Sequence, residues 1–75
     1  MRARTEIINH QIVNSIEALA CYLRQGDLFR KPQGRTQYKF EKLLEAQKLV
    51  VCENLDTHQS EQLYCNSPVF RLMFL

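Results

Sequence analysis

Apolar residues recur along the first third of the chain at Ile8, Ile12, Ile16, Leu19 and Leu23, and Val13 and Ala20 widen the same stripe. That spacing predicts an amphipathic helix over residues 5–25, with Thr5 as its N-cap and Gly26 as the left-handed residue that ends it. About 20 residues at 1.5 Å each make a rod of roughly 30 Å, long enough to be the spine of a small core. Its outer face carries Glu6, His10, Asn14, Glu17, Ala18 and Cys21, which is polar but thinly charged.

The connector 26–35 (GDLFRKPQGR) holds both glycines and one of the two prolines, and Pro32 blocks helix through Lys31. From Thr36 a second helix is predicted to about Lys48, with Phe40, Leu43, Leu44 and Ala46 turned inward. Val50 and Val51 then favour extended backbone, so Leu49 to Leu55 reads as a strand. A polar loop from Asp56 to Gln62 leads to a returning strand from Leu63 to Asn66, and Pro68 lacks the N–H that would continue its ladder. The tail PVFRLMFL is apolar at nearly every position. The expected architecture is a single α+β domain over residues 1–75: long helix, short connector, second helix, then a two- or three-stranded antiparallel sheet.

Length sharpens this picture. A 75-residue chain has room for one small core and buries only about 60% of its unfolded surface. Self-association or a partner would add the missing burial. Hydrophobic residues at 45% and charged residues at 24% are ordinary globular values. Three cysteines, Cys21, Cys52 and Cys65, cannot all pair within one chain and have no close CxxC spacing, so they read as free thiols in a reducing cytoplasm. No apolar run approaches the roughly 18 residues of a membrane span, and the N-terminus has no apolar signal core, so neither a membrane nor a cleaved leader is expected.

Charge is placed unevenly. The net charge of +2 is modest, but residues 24–42 hold Arg24, Arg30, Lys31, Arg35, Lys39 and Lys42 against Asp27 and Glu41. The start of the second helix, with Arg35, Thr36, Gln37, Tyr38, Lys39 and Lys42 exposed after Arg30 and Lys31, would favour phosphate through free N–H groups and the helix dipole. Arg and Gln at such a site can read base edges. A helix ending EKLLEAQKLVV followed by a hairpin tipped with DTHQSEQ resembles the last helix and wing of small winged-helix DNA-binding regulators, over residues 35–66. The resemblance implies that Arg35, Gln37, Tyr38 and Lys42 face bases or phosphates, while His58, Gln59 and Ser60 touch the adjacent backbone.

Other chemistries are less well supplied. Cys52, His58 and Cys65 have zinc-binding side chains, but their spacing matches no zinc pattern, and no metal or other cofactor is expected. His10 and His58 lack a nucleophile with an orienting carboxylate, and GxSxG, phosphate-loop and HExxH motifs are absent, so neither an enzyme nor a small-molecule substrate is expected. The competing reading is a protein-interaction module, an inhibitor, adaptor, assembly factor or homodimer, acting through the outer face of the first helix or through Leu72, Met73, Phe74 and Leu75. Left exposed, that tail would be an association surface, either closing the domain's own core as an edge strand or adding to a partner's sheet.

Overall fold

Both segments with helical spacing form strands. A computed structural model describes residues 3–8 and 10–74. It contains β1 (Ala3–Ile8), β2 (Gln11–Leu19), β3 (Leu28–Arg30), β4 (Gln37–Leu44), β5 (Leu49–Asn54), β6 (Ser60–Tyr64) and β7 (Pro68–Phe74), and the helical content of the described residues is the 3-10 turn Ala20–Tyr22. The seven strands make one sheet in the order β1-β2-β7-β3-β4-β5-β6, with every neighbouring pair antiparallel.

The expected α+β architecture is therefore corrected to an all-β one, and the physical reason is visible in the residues. Thr5, Ile7, Ile8, Ile12, Val13 and Ile16 are β-branched, which stiffens the side chain against a helical turn and suits a pleated surface. Ile8 pairs with Gln11, and His10 sits at φ 65, in the left-handed region. The chain reverses there instead of coiling on. Gly26, expected to end a helix, is left-handed at φ 89 but serves a turn in which its N–H donates to the Phe40 carbonyl at 3.1 Å.

The predicted second helix fails for a similar reason. Tyr38 and Phe40 are buried while Lys39 and Glu41 are exposed, a period of two. A bulge between Phe40 and Lys42 shifts the register so that Leu43 comes opposite Val50. With a strand in place of the recognition helix, the winged-helix resemblance does not hold. Strands do occur close to Leu49–Leu55 and Leu63–Asn66, where they were expected, and β5 and β6 form a hairpin, but it is one edge of a larger sheet rather than a wing.

The tail is also placed differently. β7 lies between β2 and β3, so Leu72 is paired on both sides and buried, whereas Met73 and Phe74 pair with β2 alone and Phe74 is 37% exposed. Leu75 lies outside the described residues.

Alternation sorts the core. Phe29, Tyr38, Phe40, Val50, Cys52 and Val69 share one face and pack with Ala20 and Leu23, against which Leu43 and Leu63 also lie. Phe29 and Tyr38 are cross-strand partners whose rings stack at 5.5 Å between centroids, an arrangement that adds to simple burial. The opposite face buries Val13, Ser15, Leu72 and Arg30. The 3-10 turn is tied across the end of the sheet, as Ala20 N–H donates to Ser67 O at 2.9 Å and Cys21 N–H to Cys65 O at 3.0 Å.

Phe29 is the largest of the fully buried side chains. Phe29→Ala is expected to cost about 3–5 kcal/mol in urea or thermal unfolding, whereas Tyr22→Ala, at a side chain 74% exposed, is expected to stay within about 0.5 kcal/mol.

Candidate functional site

The basic residues of the sequence lie on strands and a connection rather than on a helix. Arg30 and Lys31 are neighbours in extended chain, so their side chains leave opposite faces. Arg30 is 7% exposed and donates to Glu6 from Nε at 3.0 Å and from its terminal nitrogen at 2.7 Å. Its remaining nitrogen donates to the carbonyls of Lys31 and Pro32. The Lys31 ammonium lies 4.9 Å above the Tyr38 ring and 3.7 Å from Glu61. Tyr38 itself is buried in the core.

Arg35 and Gln37 line an open, polar cleft between β1 and the β3–β4 connection, with Arg4, Glu6, Arg30 and Thr36 also on its walls. Lys39 and Lys42 are exposed on β4 opposite Glu53 and Val51. His58 sits in the β5–β6 turn at φ 60, its Nδ1 3.1 Å from Glu53. By register Arg30, Lys39 and Lys42 share one face of the sheet, Arg35 lines the cleft beside Arg30, and Lys31 turns to the other face. Arg30 itself is buried.

The residues that do converge were not singled out by charge or motif. Glu6, on β1, accepts from Arg30 in bidentate fashion, accepts the Ser15 hydroxyl, and lies 3.3 Å from Arg4 Nε. Phe70 floors the cluster, with the Arg30 guanidinium 4.5 Å and the Arg4 guanidinium 5.2 Å from its ring centre. The hydrogen bond from Arg30 holds the Glu6 carboxyl below its ordinary range against the opposing pull of burial, and Ser15 and Arg4 act in the same direction as Arg30. With Arg30's donors committed to Glu6 and to backbone carbonyls, this cluster clamps β1 onto the middle of the sheet. It leaves a ligand little to bind.

What the clamp presents is the outer face of the β1–β2 hairpin. Ile7 and Ile12 are direct cross-strand partners, yet they are 77% and 55% exposed. Leu19 and Tyr22 are exposed further along, bordering an apolar groove of about 500 Å³ that Ile16, Ala18, Leu23 and Pro68 also line. Ile16 and Ala18 lie on the same face of β2 as Ile12, with the hydrogen-bonded pair Thr5 and Asn14 between the hairpin's isoleucines and the groove. No protein-family model matches the chain, and no curated protein or solved structure matches it either.

The hairpin had a signature in the sequence that periodicity masked. Ile7-Ile8 and Ile12-Val13 flank the polar positions Asn9 and His10, the pattern of two strands joined by a two-residue turn. Glu6 had no such signature, because its partner Arg30 is brought to it only by the sheet order.

The cysteines and histidines carry no convergent chemistry. Among the described residues no group of three His, Cys, Asp or Glu side chains is placed to hold a metal ion. Cys52 is fully buried, and burial foremost, with Glu61 nearby, pushes its thiol up to about 11. Among the described residues no helix is long and apolar enough to cross a membrane.

These environments have measurable consequences. Because the folded Glu6 is more acidic than its unfolded value of 4.5, its stabilising effect is full above that value and is lost as pH falls through the lower folded pKa. Denaturation midpoints of the wild type are expected to fall more steeply than those of Glu6→Gln on acidification below about pH 4.5. In native conditions near neutral pH, a thiol reagent is expected to modify the half-buried Cys21 and Cys65 well before Cys52, which should react only on unfolding.

Proposed function

We propose that the chain is a non-enzymatic protein-interaction module whose contact surface is the outer face of the β1–β2 hairpin. The observation that carries this is the directly opposed pair Ile7 and Ile12, large, apolar and exposed on a hairpin whose outer strand is an edge of the sheet. Isolated apolar side chains on a surface are ordinary, but here two large ones oppose each other directly and an apolar groove lies further along the same face, beyond the Thr5–Asn14 pair. Exposed apolar groups clustered in this way are characteristic of association surfaces. A protein whose size leaves its core small gains stability from covering such a surface.

This moves the interaction surface away from both places the sequence pointed to. The outer face of a first helix does not exist, and Leu72 is paired between β2 and β3 while Met73 and Phe74 are paired to β2. Nucleic-acid binding loses the recognition helix on which it rested. Arg30 and Lys31 are already ion-paired within the chain.

A photocrosslinking residue placed at position 12, and separately at the exposed Thr57 in the β5–β6 turn, tests the reading in the full chain inside cells that express it. A discrete protein adduct is expected from position 12, none from position 57, and loss of the adduct in Ile7→Lys. Equal labelling from both positions, or a salt-dependent shift with nucleic acid in the absence of any protein adduct, would overturn it.

A further inference from the structure

We infer that the partner of this hairpin is a second copy of the same chain, joined antiparallel through β1 in the register that places Arg4 opposite Glu6 and Thr5 opposite Thr5. The inference rests on the interaction reading above and names its partner. β1 is one of two sheet edges, and a central strand's backbone groups alternate between its two neighbours. The direction of β1's groups can be fixed by two independent routes.

The first route starts at the turn. Two positions separate Ile8 from its partner Gln11, so these two exchange the closing hydrogen bond of the turn. Alternation then directs the backbone groups of Ile8, Glu6 and Arg4 toward β2, and those of Ile7, Thr5 and Ala3 outward. The second route starts across the sheet, where the Phe40 N–H donates to Asp27 O on the β3 side of β4. Stepping the alternation through Phe29 and Tyr38, Leu28 and Leu72, Arg71 and Ile16, and Ser15 and Arg4 reaches the same assignment. Ala3, Thr5 and Ile7 present open donors and acceptors.

A two-fold axis normal to the sheet keeps each residue on its own face, so opposed residues must share parity. Centring the axis on Thr5 pairs the outward groups of Ala3 with those of the partner's Ile7, and of Thr5 with its counterpart. It also sets Arg4 directly opposite the partner's Glu6, twice by symmetry, which is the favourable cross-strand arrangement for opposite charges. Centring on Arg4 or on Glu6 would oppose like charges, and centring on Ile7 would shorten the overlap.

The other edge offers no such match. Self-pairing of β6 centred on Gln62 would oppose Glu61 with Leu63, where no opposite charge meets it. The chain beyond β6 is engaged, through the bond from Cys21 N–H to Cys65 O. In the β1-paired dimer each Ile7 packs beside the partner's Ala3 on either side of the central Thr5 pair, which covers part of the apolar surface that each copy leaves open.

Light scattering on the purified chain over a range of concentrations tests this, with Thr5→Cys, Thr5→Pro and Arg4→Glu as variants. The wild type is expected as a particle of two chains, and Thr5→Cys as a chain that cross-links to itself under mild oxidation, since paired Cα atoms about 5.5 Å apart suit a disulfide. Thr5→Pro removes an N–H that faces outward and is expected to yield single chains with an unchanged far-ultraviolet spectrum. If that variant loses its fold, Arg4→Glu, at an exposed side chain, decides instead and should also yield single chains. A single-chain wild type, a dimer indifferent to Arg4→Glu, or an open series of oligomers from β1 joined to β6 would overturn the inference. If position 12 still cross-links to a different protein while the wild type is a single chain, only the second copy is lost and the interaction surface stands.

Discussion

The buried ion pair between Glu6 and Arg30 is the contact on which the placement of the outer strands depends. A charge as enclosed as Arg30 is tolerated only when its donors are satisfied, and removing one partner of such a pair typically costs about 3–5 kcal/mol. The pair joins residues separated by 24 positions, on strands with β2 and β7 between them in the sheet. It therefore reaches across the face of the sheet rather than along a ladder. Ser15 on β2 and Phe70 on β7 fill the intervening space, so each strand between the two charges contributes a side chain to the same cluster.

That clamp separates two kinds of surface. On one face the aromatic pair Phe29 and Tyr38, with Phe40, Val50, Cys52 and Val69, makes a core of ordinary apolar packing. On the other, a polar cluster carries β1 and holds it as an ordered edge. An edge strand fixed in this way exposes the same backbone groups and the same isoleucines at all times, which is the condition for a specific contact rather than indiscriminate adhesion.

The β1–β2 hairpin was partly legible in the residues and partly hidden by them. Ile8, Ile12 and Ile16 recur every four positions, a spacing that is one helical turn and also two full strand repeats, so it cannot distinguish the two. The β-branched content of residues 5–16 and the polar pair between Ile8 and Gln11 favoured strand, and they were outweighed by the regularity of the stripe. In β4 the same ambiguity links Phe40 to Leu44, while Tyr38 and Phe40, two apart, carried the strand period. The bulge after Phe40 broke that period before it could become clear. Glu6 and Arg30 had no signal at all, because nothing local to either residue indicates the other.

Composition and order of residues by themselves determined a small core, three unpaired thiols, a turn at Gly26 and extended chain near Leu49 to Asn54. These are properties of the residues and their immediate neighbours. Tertiary structure alone decided that β7 enters between β2 and β3 and that Glu6 finds Arg30. Strand order is settled by which apolar faces can be buried together, and that competition is over the whole chain at once, beyond the reach of any local pattern.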